Sequence, residues 1–256
     1  MTLPNTLVMY APDGLCFLAS AAIFLGYQYF IKWKSRNNPV ETVQGISSLA
    51  RAIWVRRVME QDRDILTVQT LRNSTMAATF MASTAILLTV GVLTLSGQSD
   101  KLKITWHVLD YFGDRHENLM PVKLILILLD LFSAFFLFAS SIRLYNDVGY
   151  MINARCCIEQ GKVASPRVVA TQMVSAQLNR AGDHYRMGMR GFYGMLPLVF
   201  WIFGPLFLLL ATVIVVVILY FLDRTYTVEK NFHQERIDMY CLFSEDYCLL
   251  DEDEKA

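Results

Sequence analysis

Asp130 is the residue whose position is hardest to explain without chemistry. It sits in the middle of the apolar stretch 121–142, where an acidic side chain costs about 2.5–3.5 kcal/mol on membrane-insertion scales. Arg143 is too far along a helix rising about 1.5 Å per residue to serve as its partner. Lys123, two turns back, is expected to reach for the outer surface instead. On a helix, Asp130 shares a face with Ser133, Ala134, Leu137 and Ser141, a small and polar stripe of the kind that lets helices approach closely in lipid. The stretch 75–95 offers a matching stripe at Thr75, Ala78, Thr79 and Ala82. Two readings stay open: a proton or cation site, or a carboxyl bonded to a hydroxyl of a neighbouring helix. A single intramembrane acid makes a poor relay, which favours the second, with Asp130 turned toward the second stretch.

Four arginines form the other candidate constellation. Arg72, Arg143, Arg186 and Arg190 all fall at the basic edge of an apolar stretch, so they share one depth. A guanidinium grips phosphate oxygens in pairs, and Asn73, Tyr145, Tyr185 and Asn146 would complete an anionic-lipid pocket. The same arginines are also expected from orientation alone, with Asp147 and Asp183 as ion-pair partners. His107, His116, His184 and His233 all lie outside the apolar stretches, which argues against a membrane haem. Cys156 and Cys157 are adjacent and lack metal-site spacing. No nucleophile elbow, phosphate loop or zinc-protease helix occurs, so neither an enzyme nor a cofactor is expected.

What must position these residues follows from composition. Of 256 residues, 54% are hydrophobic and 18% charged, against about 45–50% and 25% in soluble domains. The excess belongs in lipid. Equal totals of 23 basic and 23 acidic residues argue against nucleic acid as a partner, since that affinity comes from neutralised phosphates. A crossing needs about 20 mostly apolar residues, and four stretches qualify: 14–31, 75–95, 121–142 and 196–222. The first is expected to be an anchor and not a cleaved leader. The fold class is therefore an all-α integral membrane protein with four transmembrane helices, with residues 1–222 as one membrane domain.

Basic residues cluster in two connecting segments. Lys32, Lys34, Arg36, Arg51, Arg56, Arg57, Arg63 and Arg72 occupy the first, and Arg143, Arg155, Lys162, Arg167, Arg180, Arg186 and Arg190 the second. The loop 97–120 between them has only Lys101, Lys103 and Arg115. Cytoplasmic loops collect such residues, so four crossings place both termini in the periplasm of a bacterial inner membrane. Both basic loops are expected to be helical. In the first, Ile46, Leu49, Ala50 and Ile53 keep helical spacing. In the second, Ser165-Pro166 marks a helix start and Val169, Met173 and Ala176 form a weak stripe. Pro205 is expected to kink the fourth span.

Three separated motifs carry a resemblance. They are Gln69-Thr-Leu-Arg-Asn-Ser-Thr-Met-Ala-Ala-Thr, the segment 135–146 ending in Ser-Ile-Arg-Leu-Tyr-Asn, and Arg186-Met-Gly-Met-Arg-Gly-Phe-Tyr followed by Pro197-Leu and Trp201-Ile-Phe-Gly-Pro. Together they resemble the uncharacterised membrane-protein family called "domain of unknown function 599" over most of residues 10–222. The resemblance implies a four-span membrane protein and no activity. The extramembrane tail, 223–256, is acidic yet carries Phe232, Tyr240, Phe243 and Tyr247, which need a surface and are expected to dock on a partner. Cys241 and Cys248 are spaced so that a disulfide stays open as an option. The leading expectation is a non-catalytic accessory or structural subunit of a larger membrane complex, binding partner helices and anionic lipid. The alternative is a small transporter or channel using Asp130 and the edge arginines.

Overall fold

The computed structural model describes residues 3–37, 42–61, 64–97, 119–153 and 166–224. They form six α-helices: α1 (Leu3–Asn37), α2 (Val43–Gln61), α3 (Asp64–Gly97), α4 (Met120–Asn153), α5 (Pro166–Phe200) and α6 (Pro205–Asp223). A 3-10 turn over Trp201–Phe203 joins the last two. Among the described residues there is no strand, only an isolated antiparallel bridge between Thr42 and Arg224. Four segments are long and apolar enough to cross a membrane: Asp13–Asn37, Ile65–Gly97, Met120–Ile152 and Pro205–Asp223. Their outward faces suit lipid and not water: Phe80, Leu87, Leu129, Phe136, Leu206 and Leu210 are all exposed. The hydroxyls of threonines on α3 are satisfied within the helix, since Thr79, Thr84, Thr89 and Thr94 each donate to the carbonyl four residues back.

The chain reverses where one span is expected. Residues 196–222 are not a single kinked helix, because Gly204 has φ 141°, a value at which any side chain would be strained. Pro205 then occupies the first turn of α6, where its missing N–H breaks no helical bond. The proline therefore opens a new helix, and α5 and α6 form a hairpin. Pro197 lies inside α5.

Pairwise contacts give the directions. Asp13 meets Trp201, Ser20 meets Thr212 and Tyr27 meets Asp223, so α1 and α6 ascend together and are parallel. Lys123 lies over Trp201, a Cβ at Gly191 would touch Ala134, and one at Gly188 would meet Phe138. Thus α4 and α5 are antiparallel. Leu71 approaches Gly149 and Ala82 joins Ala134 and Phe138, which makes α3 and α4 antiparallel too. The beginning of described α1 and the Gly204 turn share one end of the bundle. The ends of α1 and α6 share the other, joined by the Thr42–Arg224 bridge.

At that second end the basic connecting segments build their own core. Val55 and Val58 of α2, Leu71 of α3, Leu144, Tyr145, Val148 and Ile152 of α4, and Val174, Leu178 and Ala181 of α5 bury one another. The α5 start at Pro166 agrees with the sequence signal, and in the first loop the described residues 43–61 form α2 as a helix separate from α3, with 38–41 and 62–63 outside the described residues. The faces differ: Met173 and Ala176 are exposed, as is Ala50, because the buried stripes run through Val174 and Val55. Thr42 caps α2, its Oγ1 accepting from the Gly45 N–H at 3.2 Å.

Candidate functional site

Polar side chains occupy four successive levels inside the bundle of α1, α4, α5 and α6. At the first, Trp201 Nε1 donates to Asp13 at 3.2 Å, Phe17 stacks on the same indole, and Lys123 places its Nζ 5.4 Å from the ring centroid. Asp13 and Lys123 are both buried. Lys123 therefore does not reach outward as its sequence position suggested; the α5–α6 turn folds over it. At the second level, the hydroxyls of Ser20 and Thr212 are hydrogen-bonded across α1 and α6, and Thr212 also donates to the Leu208 carbonyl at 2.7 Å.

Asp130 forms the third level. It faces α5 and not the second stretch: Cβ atoms at Gly191 and Gly194 would stand 3.8 and 3.9 Å from its Oδ1. The two glycines make the room, since Gly191 is already against Ala134 and Gly194 against the Phe24 ring. Oδ2 is buried and has no hydrogen-bond partner among the described residues. The hydroxyl expected from a neighbouring helix is not among them. Ser133 is exposed and donates to the Asp130 carbonyl at 2.7 Å, while Ser141 donates to the Ala181 carbonyl at 2.9 Å. Of the stripe, Asp130, Ala134 and Ser141 thus meet α5, and Ala134 also joins Ala82 of α3, because α4 is central and lies between α3 and α5.

The fourth level ties three helices together. Asp223 Oδ2 accepts from Tyr27 Oη at 2.8 Å and from Arg190 Nη2 at 3.1 Å, and Arg190 Nη1 donates to Gln28.

The four sequence-selected arginines do not converge. Arg72 and Arg143 are exposed, Arg190 is committed to Gln28 and Asp223, and Arg186 pairs with Asp183 and donates to the Gln44 carbonyl at 3.2 Å. The arginine that the fold brings beside Arg186 is Arg51 of α2. Its Nε donates to Asn179 at 2.8 Å, and its Nη2 is buried without a partner among the described residues. Burial first, and the Arg186 cation second, lower the Arg51 pKa from the ordinary arginine value. Nothing in the local sequence of α2 separates Arg51 from Arg56 or Arg57; the small residue opposite it, Gly182, is the one signal, and it is remote in the chain. Asp13, Gln28 and Asp223 were missed for the same reason, since their partners lie more than a hundred residues away or across a hairpin.

Among the described residues, no three His, Cys, Asp or Glu side chains are grouped to hold a metal ion. Phe232, Tyr240, Phe243 and Tyr247, with Cys156, Cys157, Cys241 and Cys248, lie outside the described residues.

These features define a multi-pass helical membrane protein with a carboxyl inside its bundle. The chain belongs to the family described as "Protein of unknown function, DUF599", whose model matches residues 15–228. The match ends soon after α6, so most of the tail lies beyond it. No curated protein and no solved structure matches the chain.

Proposed function

We propose that the protein moves a proton or small cation through the bundle, with Asp130 as the central group. The observation that carries this reading is the Asp130 carboxyl itself, which has one buried oxygen without a partner and faces two glycines. A carboxyl kept only for packing would be expected to have a hydroxyl or amide partner, because leaving a buried acceptor unpaired costs about 1–3 kcal/mol. The polar levels on either side supply what a lone acid lacks, and they weigh against the accessory-subunit expectation. The test is flux into proteoliposomes under imposed proton, sodium or potassium gradients. Asp130→Asn should abolish the flux while leaving detergent-purified assembly unchanged. Absence of flux from the parent protein, together with a stoichiometric larger complex in mild detergent, would return the case to an accessory subunit.

The same reading carries a topology of five crossings in a bacterial inner membrane. With α1 and α6 parallel, the start of α1 and the Gly204 turn face the periplasm, and the residues after Asp223 face the cytoplasm. This replaces the expectation of two periplasmic termini. Charge supports it: the turn 201–204 has no basic residue, whereas Lys34, Arg36, Arg186, Arg190 and Arg224 gather at the opposite end. In intact cells an impermeant maleimide should miss Cys156, Cys157, Cys241 and Cys248, yet label a cysteine placed by Phe203→Cys. Labelling of Cys241 in cells where Cys156 stays protected would reverse the assignment of the tail.

A further inference from the structure

We propose that Arg51 and Arg186 hold a phosphate group where α2 crosses α5. The geometry is built for a flat cation. Gly182 lies directly beneath the Arg51 guanidinium: a Cβ there would come 2.8 Å from Cζ and 2.9 Å from Nη1, so only glycine lets the fork lie against the helix. Asn179 fixes the fork by accepting from Nε at 2.8 Å. That leaves Nη2, which is buried and has no acceptor among the described residues.

Charge points the same way. Arg186, one turn further along α5, brings a second guanidinium close enough to destabilise the charge on Arg51. Among the described residues the carboxylate beside them is Asp183, which is half exposed and already bonded to Arg186. Two cations and one shared anion leave a positive excess, and a buried charge without a partner is costly. A carboxylate on the neighbouring helices would remove the excess, but none among the described residues reaches Nη2. An oxyanion from outside would satisfy both demands. Phosphate fits better than chloride because guanidinium forks bind its oxygens through directed, charge-assisted hydrogen bonds. Arg51 is only partly buried and Arg186 is 26% exposed, so the ligand has a way in. This site is independent of the Asp130 reading, and either stands if the other fails. It also replaces the four-arginine pocket, keeping Arg186 alone of that set.

The phosphate has two sources, a lipid headgroup and the free anion, and one experiment separates them. The full-length protein is stripped of lipid in neutral detergent, and its thermal midpoint is followed against inorganic phosphate, against chloride, and against phosphatidylglycerol or phosphatidylcholine in mixed micelles. A saturable rise with inorganic phosphate identifies the free anion; a rise with phosphatidylglycerol alone identifies the headgroup. Arg51→Lys keeps the charge but loses the fork, and should weaken the response about tenfold, the equivalent of one charge-assisted hydrogen bond. Asn179→Ala, which keeps both guanidiniums but frees the fork, should weaken it in the same direction. Arg143→Gln, at an exposed position, should respond as the parent does. No rise in the parent with either phosphate probe, a rise that chloride reproduces, or variants at 51 and 179 that titrate like the parent would each overturn the assignment.

Discussion

Gly188→Leu is expected to loosen the packing of α4 against α5. A Cβ at Gly188 would stand 2.8 Å from two atoms of the Phe138 ring and 3.0 Å from a third. The ring has nowhere to go. Phe138 is fully buried, clustered with Ala82 and Ala134, edge-on to Tyr185 at 5.7 Å and tilted against Phe192 at 5.4 Å. Overpacking of this kind costs about 1–3 kcal/mol in close-packed interiors, while replacing a helical glycine returns up to about 1 kcal/mol of propensity. Alanine should therefore lose a little and leucine clearly more, about 2 kcal/mol, read as a fall in the thermal midpoint of the purified protein. The contact makes a second demand. Phe138→Leu combined with Gly188→Leu should recover part of the loss, because the two changes share one volume. Equal stability of Gly188→Leu and the parent would mean that α4 and α5 are not held at this distance.

That contact shows what the sequence makes legible and what it hides. Composition and four apolar stretches are local properties, so the all-helical, membrane-crossing class could be read directly, as could the helix start at Pro166. Helix direction is not local. The stretch 196–222 is longer than the roughly 20 residues that a crossing needs, and its excess is the trace of a turn. Gly204-Pro205 gives that turn a mechanism, a left-handed glycine followed by a proline at the start of a helix, although a proline read alone predicts a kink. The second half of α5 escapes a hydropathy reading for a different reason. It carries His184, Arg186 and Arg190, and a helix lying inside a bundle need not be apolar all round when Asp183, Gln28 and Asp223 meet its charges. Asp130 was found from sequence because a charge in an apolar run is visible by itself. Which helix it faces depends on Gly191 and Gly194, small residues whose meaning appears only once α4 lies beside them.

Breaking the Arg190–Asp223 pair should release α6 from α1. Asp223 Oδ2 accepts from both Tyr27 and Arg190, so one carboxylate joins α1, α5 and α6. The side chains of Arg190 and Asp223 are 18% and 21% exposed, buried enough that the surviving cation would be poorly solvated. Removing one partner of a buried pair costs about 3–5 kcal/mol, and the remaining exposure places Asp223→Ala near the low end, about 3 kcal/mol. Replacing both partners, by Arg190→Met with Asp223→Leu, leaves no orphaned charge and should lie closer to the parent than Asp223→Ala alone. The readout is a disulfide. Ser20 and Thr212 touch across α1 and α6, so Ser20→Cys with Thr212→Cys should cross-link on mild oxidation in the parent background. Cross-linking should fall when Asp223→Ala is added and return when Arg190→Met and Asp223→Leu are added instead. An undiminished cross-link with Asp223→Ala would show that Tyr27, Ile31, Val215 and Leu219 hold the helices together by packing alone. In that case the ion pair would serve the charge balance of the bundle and not its cohesion.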